Sequence, residues 1–174
     1  MPRAKAVAGS VAWFIAVGGT FGCLLPYLSG DWHFHPAPLA ARVAGVILIG
    51  AGLIPLLLSF ADFIQAGGTP VPVASPPRLV LSGCYRYVRN PIYVGFVVVL
   101  GGEILLFWSA GLLRYTIVAW AVGIAAVRWY EEPVLTRKFG APYLEYRRAV
   151  RGWIPRVRPW AGPASNRASS RSSP

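Results

Sequence analysis

A chain of 174 residues in which 55% are hydrophobic and only 13% charged, with a mean hydropathy of +0.51, is too apolar for a soluble globule. Its net charge of +11 would suit nucleic acid. However, the basic residues gather at the ends of apolar segments, where each gains ~1 kcal/mol from an anionic lipid surface, and nucleic acid is set aside as a partner. Cys23 and Cys84 have no paired spacing, so neither a zinc motif nor a disulfide is expected.

Four apolar segments follow in order: Val7–Leu28, Leu39–Phe63, Ile92–Trp108 and Leu112–Tyr130. Each is near the ~17–25 residues that cross a bilayer as a helix, and the glycines and prolines within them suit membrane helices. Arg3 and Lys5 precede the first, but the run is too long for a signal peptide and lacks a small-residue cleavage site before polar sequence. The connection Ser29–Pro38 carries Asp31, His33 and His35, and alternate histidines in so short a loop read as solvated rather than metal-bound. No metal is expected. Gly45 and Gly50 in the second segment permit close helix packing.

Four prolines between Ala66 and Pro77 exclude regular helix there. Tyr85 and Tyr87, interleaved with Arg86 and Arg89, suit a membrane interface. Asn90-Pro91 marks the start of the third helix, with Asn90 as N-cap and Pro91 in the first turn. The free N–H groups of such a helix end suit an anion. Tyr93 and Gly95 lie in the next turn, the glycine allowing close approach of a ligand or of another helix. Glu103 interrupts the third segment. A protonated carboxyl, an ion pair with Arg114 and the lining of a cavity are its three open readings.

The fourth helix ends in Arg128, Glu131 and Glu132, with either carboxylate one turn from the guanidinium, before Pro133 breaks or kinks it ahead of a short helix Val134–Phe139. Two of the chain's six carboxylates at this one place point to function. Residues 1–160 thus read as one all-α polytopic membrane domain of about four transmembrane helices, with a C-terminal helical hairpin and short cytosolic helices. Ala161–Pro174 reads as a disordered tail. Arg3, Lys5, Arg78, Arg86, Arg89 and the run Arg137–Arg158 flank the segments on one side, whereas Ser29–Pro38 and Ser109–Gly111 carry no Lys or Arg. That asymmetry predicts cytosolic termini and a cytosolic site.

The run Ser82-Gly83-Cys84-Tyr85-Arg86-Tyr87-Val88-Arg89-Asn90-Pro91-Ile92-Tyr93-Val94-Gly95 resembles the Gly-x-Tyr-x-x-x-Arg-His-Pro-x-Tyr-x-Gly motif of integral-membrane methyltransferases of the isoprenylcysteine carboxyl methyltransferase and phospholipid N-methyltransferase group. Glu131-Glu132-Pro133-Val134-Leu135, Phe139-Gly140, Tyr143, Tyr146 and Val150 resemble that group's second motif. The resemblance covers about Leu79–Pro159 and implies S-adenosylmethionine as cofactor. Gly83, Tyr85, Arg89, Asn90, Pro91, Tyr93 and Gly95 would hold it, with Arg128, Glu131 and Glu132 as catalytic residues. It also implies a lipophilic acceptor, on which a carboxylate, amine or hydroxyl receives the methyl group at the cytosolic face. Asn90 stands where the family has histidine and cannot titrate near neutral pH. An NADPH-dependent membrane reductase of the sterol type and a non-catalytic scaffold or transporter subunit are the alternatives.

Overall fold

The computed structural model describes residues 7–9, 11, 12, 14–28, 33–66 and 78–162. All regular structure among them is helical: α1 Ile15–Leu28, α2 Leu39–Gln65, α3 Pro91–Phe107, α4 Ala110–Ala126, α5 Glu132–Phe139 and α6 Ala141–Ala149. A 3-10 turn at Gly83–Arg86 precedes α3, and a π turn at Val127–Glu131 joins α4 to α5. The Pro-rich stretch expected to lack regular helix lies, but for Ala66, outside the described residues, as do Asp31 and most of the tail expected to be disordered.

Leu39–Gln65 and the continuous helix Ala110–Phe139 are long and apolar enough to cross a bilayer, whereas Ile15–Leu28 and Pro91–Phe107 are apolar but shorter. The expected first helix differs most. It is π-helical over Phe14–Gly18 and Thr20–Leu24 and α-helical over Leu25–Leu28. Pro26 cannot donate to the preceding turn, and the N–H of Leu25 reaches the carbonyl of Thr20, five residues back. α3 is bounded sharply by Pro91 in its first turn and by Trp108 in the left-handed region (φ 55°) at its end. The hydroxyl of Ser109 then accepts from the N–H groups of Gly111 (3.1 Å) and Leu112 (3.2 Å), capping α4 and closing the hairpin.

Two glycine pairs hold α2 and α3 together, running antiparallel. A Cβ on Gly45 would lie 2.7 Å from the carbonyl of Gly102, and one on Gly52 would lie 2.6 Å from that of Gly95. The pairs are two helical turns apart, so backbone meets backbone along one stripe. Lipid offers no hydrophobic drive between helices, and such close contact is the source of their association. Leu56, Phe60 and Val99 fill the flank of the stripe. Deeper in α2, the fully buried Ser59 donates its hydroxyl to the carbonyl of Pro55 at 2.6 Å, which satisfies it in an apolar setting.

At the opposite end, the N–H of His35 donates to the carbonyl of Phe107 (3.1 Å), and Phe34 packs on the Phe107 ring at 4.8 Å. The loop thus caps the end of α3. No group of three or more potential metal ligands occurs among the described residues.

Gly52→Ala and Gly95→Ala should each cost about 1–3 kcal/mol by overpacking. Gly50→Ala, with nothing within 4 Å of the added carbon, should be neutral or stabilising. Thermal melting in detergent checks both.

Candidate functional site

The polar end of the molecule is assembled around Glu132. Its carboxylate is buried, with one oxygen accepting from Arg89 Nη1 at 2.8 Å and the other lying 3.2 Å from Arg147 and 3.6 Å from Arg128. Arg89 comes from the loop before α3, Glu132 from the start of α5 and Arg147 from α6, so one ion cluster ties three segments. Pro133 explains the local geometry. The helix runs on through it; without an N–H it cannot bond to Trp129, and the π turn absorbs the missing bond, with Glu132 N–H reaching Val127. Glu131 and Glu132 consequently part company. Glu131 accepts a short hydrogen bond from the Tyr93 hydroxyl and lines the main cavity, while Glu132 serves the arginines.

Backbone pairing reinforces the cluster. Arg89 N–H donates to Arg151 (2.9 Å), Asn90 N–H to Gly152 (3.2 Å), Arg156 N–H to Tyr87 (2.9 Å) and Trp160 N–H to Arg86 (2.9 Å). The segment after α6 therefore lies along the loop that leads into α3. Tyr143, Tyr146, Val150 and Trp160 form the buried core beneath it. The Tyr146 hydroxyl donates to the carbonyl of Tyr85 at 2.7 Å.

A cavity of about 1030 Å³ runs between α1, α2, α3 and α4 and is bounded at one end by α5 and α6. Its polar end presents Arg89, Asn90, Tyr93 and Glu131, and Tyr85 and Pro91 also line it. Leu53, Phe96, Val99 and Val122 are among its apolar walls, and Glu103 lines it too, as one of that residue's readings has it.

The remaining predicted residues fall elsewhere. Gly83 is outside the lining; at φ +52° its missing side chain makes room for Asp62, whose carboxylate would sit 2.2 Å from a Cβ there. Gly95 faces α2, which decides between its two alternatives for helix packing. Arg128 is 64% exposed and belongs with Arg137, Arg147 and Thr136 to a separate shallow pocket of about 430 Å³. The expectation that Asn90 caps α3 through its side chain is corrected: its carboxamide makes no capping bond. Pairing of its backbone to Gly152 holds it at φ −118°, ψ 57°, and Nδ2 is left buried without a hydrogen-bond partner.

Sequence reasoning missed Arg147 as a ligand of Glu132, Tyr143 as a contact of Arg89 (3.4 Å) and Trp153, which packs against Tyr93 and Trp120. The step of four from Tyr143 to Arg147 puts both on one helical face, a signal within reach of periodicity. Nothing in the sequence indicates where Trp153 returns.

Removing the Glu132 carboxylate leaves buried guanidinium charge, so Glu132→Ala should cost about 3–5 kcal/mol. Arg128→Ala should cost less than about 0.5 kcal/mol because its partner contact is solvent-screened. Melting temperatures in detergent give the ranking. A second expectation concerns pH. Burial holds the phenols of Tyr85, Tyr143 and Tyr146 above their ordinary value of about 10. The folded state therefore keeps protons that the unfolded chain releases. This stabilisation is fully present below about pH 10 and is lost as pH rises beyond it, which melting across alkaline buffers would record.

A model of the phospholipid methyltransferase family matches residues 40–142. Protein-S-isoprenylcysteine O-methyltransferase of Schizosaccharomyces pombe is 38% identical over 166 residues, covering 86% of this chain and 69% of that protein. Protein-S-isoprenylcysteine O-methyltransferase A of Arabidopsis thaliana is 29% identical over 135 residues, covering 77% and 66%. Methanethiol S-methyltransferase 2 of Bradyrhizobium diazoefficiens is 28% identical over 156 residues, covering 77% and 56%. The chain thus spans between 56% and 69% of the length of these relatives. No solved structure matches it. Two motif blocks meeting at one ion cluster, on a helical membrane scaffold, agree with these matches: the chain belongs to the phospholipid methyltransferase family and to the isoprenylcysteine methyltransferase group of integral-membrane methyltransferases.

Proposed function

We propose that this protein transfers a methyl group from S-adenosylmethionine to a lipophilic acceptor at the cytosolic membrane face. The observation that carries the reading is the cavity, apolar along its length and polar at the end where Arg89, Asn90, Tyr93 and Glu131 converge. A lipid-soluble acceptor suits the first part and a polar methyl donor the second. The cytosolic assignment rests on the distribution of Lys and Arg.

The residues fit the donor. Asn90 Nδ2 and Arg89 Nε are buried donors without a hydrogen-bond partner, and S-adenosylmethionine is rich in acceptors. Leaving such groups unmet costs free energy that a ligand can recover. The carboxylate of Glu131 suits the ammonium or sulfonium of the same molecule. When bound, S-adenosylmethionine supplies an electrophilic methyl group.

The chain's own residues align the partners, which supplies much of the acceleration in an in-line substitution. Tyr93 holds Glu131 by a hydrogen bond, and Trp153 packs against the Tyr93 ring at 6.2 Å. Held there, Glu131 can orient a cation or accept a proton from the acceptor. Arg89, fixed by Glu132 and Tyr143, stands where an anionic acceptor group would be bound. Gly83 and Gly95 act on this site through the backbone they shape. The named relatives act on isoprenylcysteine proteins and on methanethiol, and a carboxylate, amine or hydroxyl on a prenyl, fatty or phospholipid chain is the acceptor class proposed here.

Isothermal titration of detergent-purified protein with S-adenosylmethionine tests the donor site. Saturable binding is expected, weakened about tenfold in Asn90→Leu and more in Glu131→Gln. Absence of saturable binding would sink the proposal.

A further inference from the structure

The cavity has a second polar end. On α3 its lining follows one face, Tyr93, Phe96, Val99 and Glu103, and the matching stripe runs from Tyr115 on α4 to Tyr130 in the π turn that follows. The hairpin turn at Trp108-Ser109 puts Glu103 and Tyr115 at the same level, five residues before it and six after it. Cys23 of α1 also lines this end, and both Cys23 and Tyr115 lie within electrostatic reach of Glu103. The Tyr115 hydroxyl donates to the carbonyl of Phe21, which closes α1 onto α4 there. Between Tyr93 and Glu103 the walls are apolar, over ten residues of helix or about 15 Å.

We propose that Glu103 is a specificity-determining residue that limits the acceptor to chains of medium length, on the order of a dozen carbons when extended at bond lengths of ~1.5 Å. The inference rests on the reading of the cavity as the acceptor site. A hydrocarbon tail that stops before Glu103 buries its surface against Phe96, Val99 and Val122. A longer tail would have to press hydrocarbon against the buried carboxyl group, an unfavourable contact for a polar group. The limit is therefore set by polarity as much as by space. Glu103 acts on the tail, far from the reacting atoms, and is not catalytic.

The test uses N-acetyl-S-alkylcysteines with saturated chains of about 8 to 20 carbons, their binding to the full-length protein in detergent read by thermal shift across concentrations. Binding should be tightest near a dozen carbons and at least about tenfold weaker at the longest chain. Glu103→Ala should bring the longest chain to within about threefold of the optimum, whereas Glu103→Gln, which keeps size and polarity, should retain the limit. Ala119→Phe, which fills the cavity one turn before its end, should move the optimum to shorter chains, and it carries the test if Glu103→Ala does not fold. A flat wild-type profile, no binding at any length, or a profile unmoved by Glu103→Ala or by Ala119→Phe overturns the inference. Transfer of a methyl group to the best-bound member is measured separately. Its absence alongside an intact length limit would overturn the methyl-transfer reading and leave the limit standing.

Discussion

The contact between Arg89 and Glu132 is the constraint on which the polar end depends. The two residues are 43 positions apart and flank the α3–α4 hairpin, Arg89 in the loop before α3 and Glu132 at the start of α5. Charges brought this far out of water are tolerated when they meet at short distance and their remaining valences are filled. The second Glu132 oxygen does this by facing Arg147 and Arg128, and Tyr143 lies beside Arg89. With Arg89 fixed, the loop before α3 is fixed, and the chain after α6 can pair along it. The polar mouth of the cavity is a product of that pairing.

A different physical contact governs the apolar body. Gly45 against Gly102 and Gly52 against Gly95 bring two backbones together without side chains between them. That contact turns one face of α3 to α2 and leaves another facing α1 and α4. The cavity follows from this division: Gly95 and Gly102 pack on α2, Tyr93 and Glu103 line, and Phe96 and Val99 do both.

Much of the architecture was open to reading from the residues. The hairpin, the start of α3 at Pro91 and the gathering of both motif blocks at one end depend on segment length, proline and turn chemistry, all of them local. The resemblance to the methyltransferase group stood on motif spacing and agreed with the family match. Where the reading departed from the structure, a non-local or backbone effect had intervened. Asn90 is held by Gly152, sixty-two residues away, and its side chain is thereby withdrawn from capping. Pro133 sits in a continuous helix because a π turn accommodates it.

What the sequence by itself determined was therefore the inventory: apolar helices of defined extent, a basic side, and two carboxylates beside aromatic and arginine residues. Composition and periodicity act over a few residues, and these features need nothing more. Only the tertiary structure decided the assignments. Glu131 went to Tyr93 and Glu132 to the arginines because the π turn sets their orientation. Arg89 lines the cavity and Arg128 does not, because Arg128 in the π turn faces outward. Glu103 came to close the far end because the glycine pairs set the rotation of α3. Each depends on the register between helices, which no local pattern encodes.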